Sequence, residues 1–277
     1  MRLEDESATV RDLYPEEHVD LAVFITELGA SSTLMFVLAM CFWLTRRRET
    51  ALVISYAFAG AAFIVGLKAI LALPRPPEEL FVIALDGDEY GFPSGHTFAA
   101  TIVYGGLVSA FERMRDPRIV AGTTVLVVLV GLSRIVLGFH YLGDVIVGAL
   151  LGVVFVVSLE TVTRGDPRRG FAVATLLALP AVAVTGLAHG ALIALGGGIG
   201  GLLVSAYHDL EALPPLRSPL EGVVLSVGGA GFVVGVLALE SVLGGFDPAV
   251  VALYAVVVVG ILLAPAAVGR LQWNRLE

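Results

Sequence analysis

The chain alternates between long apolar segments and short polar ones. Nine apolar segments are flanked by charged residues, proline or glycine, and most approach the ~20 residues that a helix needs to cross a bilayer. Backbone N–H and C=O groups in lipid must be paired within a segment, so each segment predicts a helix. The pattern therefore predicts an all-α, polytopic membrane helical bundle with these approximate transmembrane helices: 21–44, 51–73, 97–112, 119–139, 143–162, 171–188, 191–207, 220–240 and 249–269.

The composition agrees with a membrane protein and excludes several other classes. Hydrophobic residues make up 57% of the 277 residues and charged residues 15%, whereas a soluble domain carries about 25% charged residues. The net charge of −8 lies in tails and loops, so no nucleic-acid partner is expected. Cys41 is the single cysteine, which excludes an intrachain disulfide and a cysteine-based metal site.

The arginines predict the orientation in the membrane. Cytoplasmic loops of membrane proteins carry an excess of basic residues. With the N-terminus outside and the C-terminus inside, the inner side receives these arginines: 46, 47, 48, 113, 115, 118, 164, 168, 169, 217, 270 and 275. Arg2 and Arg11, in the acidic N-terminal segment 1–20, then lie outside. We expect a multi-pass protein of the cell membrane.

Three short polar islands interrupt the apolar pattern: Lys68–Pro76, Pro93–His96 and Ser133–Asp144. Charged side chains close to membrane-length apolar segments are energetically costly and by default indicate a functional site. In the predicted topology all three islands lie at the outer, non-cytoplasmic face. The sequence therefore predicts one site, assembled from three separate segments.

The first island carries two cations. Lys68 is the only lysine in the chain, and it lies about two helical turns before Arg75, where Pro74 and Pro76 end the predicted helix. A compact ammonium beside a planar guanidinium suits the oxygens of a phosphate. The alternative is a pair of cations that extend toward the membrane interface.

The second island opens the third predicted helix. Ser94 supplies a hydroxyl, Gly95 permits close approach of the backbone, and the free N–H groups of a helix start favour an anion. His96 then lies where it would protonate a leaving oxygen. The alternative is an ordinary helix cap followed by an interfacial histidine.

The third island is the densest in polar groups. Ser133 and Arg134 close the fourth predicted helix, and His140 lies at the turn into the fifth. If that turn is helical, Asp144 lies on the same face as His140 and accepts the proton of one ring nitrogen, which leaves the other nitrogen free to attack. The alternative is a buried histidine–aspartate pair with a purely structural role.

Together the islands supply the groups that phosphoryl transfer requires. The transferring group carries charge on three oxygens and needs an attacking and a leaving group in line, so catalysis depends on positioning and electrostatics. Lys68, Arg75 and Arg134 match the charge on the oxygens. His140 matches the attacking group, and His96 matches the acid that protonates the leaving group. The expected intermediate is a phosphohistidine that water releases. No metal and no cofactor are expected, because the cations take the role of Mg²⁺.

The three islands resemble the signature motifs of the type 2 phosphatidic acid phosphatase superfamily, which also contains the vanadium haloperoxidases. The matching patterns are Lys-x6-Arg-Pro, Pro-Ser-Gly-His and Ser-Arg-x5-His-x3-Asp, and the resemblance covers about residues 55–160. It implies that His140 is the nucleophile, His96 the acid and Asp144 the group that orients His140. It also implies that phosphate is bound by Lys68, Arg75, Ser94, Gly95 and Arg134.

The expected organisation is a phosphatase-like membrane core at 21–165, followed by additional helices at 166–277. The family's membrane members usually have about six spans, so the last helices have no counterpart there. Three roles stay open for these additional helices. They are a dimer interface, which would make the protein a homodimer, a wall along which lipid reaches the site, and a fused module.

The expected function is hydrolysis of a lipid phosphomonoester or pyrophosphate. The outer position favours a polyprenyl pyrophosphate carrier, while a phosphatidate or a phosphatidylglycerophosphate stays open. Two alternatives also stay open: a phosphotransferase in which an acceptor alcohol replaces water, and a lipid-phosphate transporter. For Asp86, Asp88 and Glu89, in the loop between the first two islands, a solvated acidic loop is favoured over a divalent-cation site.

Overall fold

The computed structural model describes residues 2–84, 90–213, 218–243 and 246–270. Within these ranges the regular structure is helical. The α-helices, in chain order, are α1 Glu4–Leu13, α2 Val19–Glu27, α3 Ser31–Leu44, α4 Arg47–Leu71, α5 Gly95–Ala100, α6 Gly106–Ala110, α7 Pro117–Val136, α8 Leu142–Thr163, α9 Pro167–Thr185, α10 His189–Tyr207, α11 Pro219–Leu243 and α12 Asp247–Arg270. Short 3₁₀ turns cover Glu16–His18 and Glu78–Leu80.

The prediction of a polytopic helical membrane protein is confirmed at this level. Among the described residues, seven helices are long and apolar enough to cross a membrane: α4 and α7 to α12. An eighth candidate is the pair α2 and α3, which is bent by 51° at residues 28–30. The first predicted segment, 21–44, is therefore not one straight helix.

The third predicted segment, 97–112, differs from a regular span. It is formed by α5, a π-helical turn at Thr101–Gly105, and α6, which ends at Ala110. This run is too short to count among the candidate spans. π-helical turns inside α-helices occur often at functional sites, and this one follows directly on the second polar island.

Two of the long helices begin at the same tripeptide, Asp-Pro-Arg. The Asp116 carboxylate accepts the N–H of Arg118 at 3.0 Å at the start of α7. Asp166 does the same with the N–H of Arg168 at 2.9 Å at the start of α9. Proline follows each aspartate at a position where a helix has no use for a backbone N–H. The cap and the proline together fix where both helices begin.

The chain divides into two compact units, and the first consists of residues 1–36 and 63–164. In this unit α5 packs against α7 and α8, and α2 packs along α7. The rings of Phe63, Phe98 and Phe155 form a cluster with centroids 5.1–5.9 Å apart. All three polar islands belong to this unit.

The second unit consists of residues 37–62 and 165–277. Here α10 packs against both α9 and α12. The glycines of α10 make this possible, because a Cβ at Gly196 or Gly200 would collide with the backbone of α12 at Val251 or Ala255. Trp43 donates its indole N–H to the carbonyl of Ile261 at 2.9 Å. Small residues at helix contacts thus bring backbones close together.

Candidate active site

The first island lies at the end of α4 and on the turn that follows. The helix ends at Leu71, earlier than expected, so Arg75 extends from the turn and is not two helical turns beyond Lys68. Lys68 is buried, and its ammonium donates to the carbonyl of Tyr90 at 3.1 Å. Arg75 donates to the carbonyl of Phe139 at 3.1 Å. Both cations therefore face the segments of the other islands.

The second island begins α5, as expected for a helix cap. The buried Ser94 hydroxyl lies 3.0 Å from the hydroxyl of Thr97 and also faces the Thr97 N–H. The Ser94 N–H donates to the carbonyl of Asp144 at 3.0 Å, which joins this island to the third. A Cβ on Gly95 would lie 3.7 Å from the Lys68 ammonium nitrogen. The start of α5 is thus directly beside the Lys68 cation.

The break between α2 and α3 lies against His96. A Cβ on Gly29 would lie 2.5 Å from a methyl of Val130 and 3.3 Å from the His96 Cβ and carbonyl oxygen. Only glycine fits here without displacing one of them. The bent first segment therefore forms one wall of the candidate site, which the sequence did not indicate.

Arg134 is buried near the end of α7. Its guanidinium donates to the hydroxyl of Thr26 at 2.9 Å and lies over the ring of Phe139, 4.4 Å from the centroid. Its Nε is fully enclosed and has no hydrogen-bond partner. Burying such a donor without a partner is costly.

His140 lies between the cations and the carboxylate of Asp144. Its Nε2 lies 3.3 Å from a guanidinium nitrogen of Arg75, and its Nδ1 lies 3.5 Å from Oδ2 of Asp144. The second distance is within ion-pair range but longer than an ordinary hydrogen bond. Because α8 begins only at Leu142, the two residues do not share one helix face as expected. Asp144 instead accepts the N–H of Tyr141 at 2.9 Å in the first turn of α8.

Burial and the nearby cations lower the pKa of both histidines and so favour their neutral forms. Burial lowers the pKa of His140 to about 3, Asp144 opposes this change, and Arg134, Arg75 and Lys68 lower the pKa further. The pKa of His96 is also well below its usual value, mainly through burial and then through Arg134, His140, Lys68 and Arg75. A neutral imidazole has a lone pair available, which a nucleophile requires.

The sequence missed Arg2, which enters this site from the N-terminus. Its Nε and Nη2 donate to the two oxygens of Asp144 at 2.8 and 2.7 Å, and its Nη1 donates to the carbonyl of Pro74 at 2.6 Å. The contact with Asp144 spans 142 positions of sequence. No local pattern marks such a contact. Thr26, the partner of Arg134, carries no sequence signal either.

The structure brings all eight predicted site residues into one region of the first unit. They are Lys68, Arg75, Ser94, Gly95, His96, Arg134, His140 and Asp144. The acidic residues Asp86, Asp88 and Glu89 lie outside the described residues. The arrangement places three cations, a serine hydroxyl and a helix start around two neutral histidines, which is a setting for an anion with several oxygens.

Comparison with protein families matches residues 49–165 to the PAP2 superfamily. This segment contains all three polar islands, and across it the chain is similar to the PAP2 superfamily. The resemblance drawn from the three motifs is thereby confirmed.

The chain is also similar to a curated protein of Mycobacterium tuberculosis, decaprenylphosphoryl-5-phosphoribose phosphatase. The identity is 32% over 127 residues, both in strain CDC 1551 / Oshkosh and in strain ATCC 25618 / H37Rv. The matched region makes up 44% of this chain and 66% of each relative. No solved structure gives a significant match to the chain.

Proposed function

We propose that the protein is an integral-membrane lipid phosphatase that hydrolyses a phosphomonoester or pyrophosphate on a lipid anchor. The observation that carries the proposal is the position of His140. One ring nitrogen faces Arg75, 3.3 Å away, and the other faces Asp144, 3.5 Å away. A structural histidine has no need of three surrounding cations, whereas a phosphoryl group does.

The proposed reaction has two steps. In the first, Nε2 of His140 forms a bond to phosphorus while the bond from phosphorus to the leaving oxygen breaks. His96 donates a proton to that oxygen. In the second, water attacks the phosphohistidine, gives its proton to His96, and releases phosphate and free His140. His96 must be protonated for the first step, and the negative charge of a bound phosphate favours this, which offsets the burial that lowers its pKa.

The remaining residues of the site bind and orient the phosphoryl group. Lys68, Arg75 and Arg134 neutralise its oxygens. Ser94 and the backbone at Gly95 supply donors at the start of α5. Asp144 orients His140. Since these cations supply the positive charge, the proposed reaction needs no metal ion.

The proposed substrate is a polyprenyl phosphate or pyrophosphate at the outer face of the cell membrane. The distribution of arginines supports an outer site in a chain with nine spans, the N-terminus outside and the C-terminus inside. The two relatives are named for a decaprenyl lipid, which favours a polyprenyl substrate over phosphatidate. The helices at 166–277 extend beyond the matched segment.

The test is phosphate release by the detergent-purified full chain in the presence of EDTA. A polyprenyl pyrophosphate and a phosphatidate are assayed side by side, with wild type compared with His140→Ala. We expect release from the polyprenyl lipid and a loss of at least about 10⁴-fold in the variant, as for removal of a catalytic nucleophile. His208→Ala is the control, because His208 is an exposed histidine of the other unit.

Each other outcome contradicts a stated part of the proposal. Release that persists in His140→Ala shows that His140 is not the nucleophile. Release that EDTA abolishes contradicts metal independence. If wild type releases phosphate from neither lipid but transfers it when an alcohol is added, the enzyme is a phosphotransferase. Faster release from phosphatidate overturns the polyprenyl preference.

A further inference from the structure

Arg2 forms a two-point ion pair with the carboxylate that faces the proposed nucleophile. Asp144 is fully buried, whereas the Arg2 side chain is 17% exposed. Two guanidinium N–H groups meet the two carboxylate oxygens at 2.8 and 2.7 Å. This paired geometry is the strongest that arginine and a carboxylate form, and it fixes the plane of both groups.

The ion pair determines how Asp144 meets His140. Oδ2 of Asp144 accepts from Arg2 and from the Tyr141 N–H, while Nδ1 of His140 lies farther away, at 3.5 Å. Arg2, not His140, therefore sets the orientation of the carboxylate. Because Oδ2 lies 3.5 Å from Nδ1 of His140, a carboxylate held in one plane keeps its charge at a fixed position beside the imidazole.

Arg2 also connects the first island with the third. Its Nη1 donates to the carbonyl of Pro74, the residue before Arg75, and its own carbonyl accepts the N–H of Gly143. A Cβ on Gly91 would lie 2.9 Å from the Arg2 Nη2, so the segment before the second island also closes over this side chain. One guanidinium thus contacts the first and third islands and borders the segment just before the second.

The N-terminal segment is held in place independently of this ion pair. The hydroxyl of Ser7, in α1, accepts the N–H of Leu142 at 2.7 Å, at the first residue of α8. The Arg2 guanidinium also lies over the ring of Tyr141, 4.7 Å from the centroid. Ser7 does not touch Asp144 or His140 in any hydrogen bond recorded for the described residues, so it supplies a matched control.

We propose that Arg2 is a positioning residue for phosphoryl transfer: it fixes the Asp144 carboxylate, and through it His140, while tying the Arg75 turn to the start of α8. The proposal rests on the proposed function. Arg2 touches neither the reacting atoms nor the phosphate. Its removal leaves the three phosphate-facing cations in place but releases the group that orients the nucleophile.

The test compares Arg2→Gln, Arg2→Lys and Ser7→Ala in the purified full chain with polyprenyl pyrophosphate. We expect kcat to fall about 10- to 100-fold in Arg2→Gln while KM changes less than about threefold, because misplacement of a reacting group acts on the chemical step. Arg2→Lys retains the charge but not the two-point geometry, so its kcat falls between those of wild type and Arg2→Gln. Ser7→Ala keeps kcat within about threefold of wild type, although it lowers the apparent Tm.

A pH profile separates positioning from a general loss of structure. The charged and titratable groups around the Asp144–His140 pair are Arg2, Lys68, Arg75, His96 and Arg134, with Glu4 and Arg11 near Tyr141. Removing the Arg2 charge favours proton uptake by the pair. The acidic limb of kcat therefore moves to higher pH in Arg2→Gln and stays in place in Ser7→Ala.

Two results overturn the proposal. One is an unchanged kcat in Arg2→Gln. The other is equal losses in Arg2→Gln and Ser7→Ala with an unshifted pH profile, which would make Arg2 a structural anchor only. If the wild type hydrolyses no lipid, the proposed function fails. The role of Arg2 is then tested by the affinity for orthovanadate, which mimics the transferring phosphoryl group. We then expect about tenfold weaker calorimetric binding in Arg2→Gln, and equal or absent binding contradicts the proposal.

Discussion

His140 is a titratable side chain held almost completely away from water. It is 1% exposed, and burial together with the nearby cations lowers its pKa to about 3. The Asp144 carboxylate opposes this shift but does not cancel it. The cost of burying the charged form thus exceeds the gain from one carboxylate that Arg2 already neutralises. The imidazole is therefore neutral throughout the physiological pH range.

This burial predicts that the protein loses stability in acid through His140. The pKa of His140 is about 3 in the folded chain and about 6.5 in the unfolded chain. Below pH 6.5 the unfolded chain binds a proton that the folded chain does not, so the stabilisation is complete above 6.5 and declines as the pH falls toward 3. Each pH unit below 6.5 in this window lowers the free energy of unfolding by about 1.4 kcal/mol, so at pH 5 it is lower by roughly 2 kcal/mol.

The measurement is the apparent Tm in detergent at pH 7 and pH 5, for wild type and for His140→Asn. Asparagine keeps a polar side chain but does not titrate. We expect the wild-type Tm to fall by about 4 °C more than that of the variant. Parallel shifts in the two proteins would mean that His140 takes up its proton in the folded state, and the proposed neutral nucleophile would then lack this support.

The sequence predicted the residues of the site better than their partners. The three islands could be recognised because charged groups are rare among these apolar segments, and because each island is local in sequence. Arg2 and Thr26 could not be recognised, because each acts across more than a hundred positions. An arginine near the N-terminus and a threonine in an apolar helix are ordinary residues until the fold brings them to Asp144 and Arg134.

At the scale of elements, glycines decide how closely the helices of the site approach. A Cβ on Gly148 of α8 would lie 2.7 Å from the carbonyl oxygen of Ser94. In the same helix, the carbonyl of Asp144 accepts a hydrogen bond from the Ser94 N–H. α8 thus holds the helix cap of α5 by a backbone hydrogen bond and by close packing one turn farther along.

We expect Gly148→Ala to displace Ser94 and to impair both stability and activity. Overpacking of a tight contact costs about 1–3 kcal/mol, and the backbone at Ser94 and Gly95 belongs to the proposed phosphate site. The apparent Tm and kcat/KM for the polyprenyl lipid are measured together, and we expect kcat/KM to fall at least about tenfold.

Gly122→Ala is the matched control for this substitution. Gly122 lies inside α7, and a Cβ there would meet nothing within 4 Å. Alanine favours a helix interior over glycine by up to about 1 kcal/mol, so the Tm should stay level or rise while activity stays unchanged. Equal effects of the two substitutions would show that the close contact between α8 and Ser94 does not matter.

Apolar length predicted the existence of the helices, but not their irregularities. The long segments from 119 onward are helical close to the predicted ranges, because bilayer length and the Asp-Pro-Arg starts both act locally. The bend between α2 and α3 and the π-helical turn after α5 depend on tertiary packing instead. Gly29 approaches His96 and Val130 only once α2 lies along α7. Such a contact leaves no periodic signal in the sequence.

At the scale of the molecule, the site belongs to one of the two units. Within the first unit the ends of α4 and α7 meet the starts of α5 and α8, as expected for helices that cross in alternating directions. The second unit contains the helices beyond residue 165 and none of the predicted site residues. The proposed chemistry therefore belongs to the first unit, and the second unit has no catalytic part in the proposed mechanism.

The alternating directions place all three islands at one end of the first unit, and the arginines predict that this end is outside. Labelling of single cysteines with a membrane-impermeant maleimide tests the orientation, in a Cys41→Ala background expressed in cells. Leu13→Cys and Met114→Cys are suitable, since both side chains are well exposed, at 78% and 59%. We expect Leu13→Cys to react on intact cells and Met114→Cys only after permeabilisation, because Arg113 and Arg115 flank Met114 and hold that loop inside. The reverse pattern would place the site at the cytoplasmic face, and the substrate would then be a lipid phosphate of the inner leaflet.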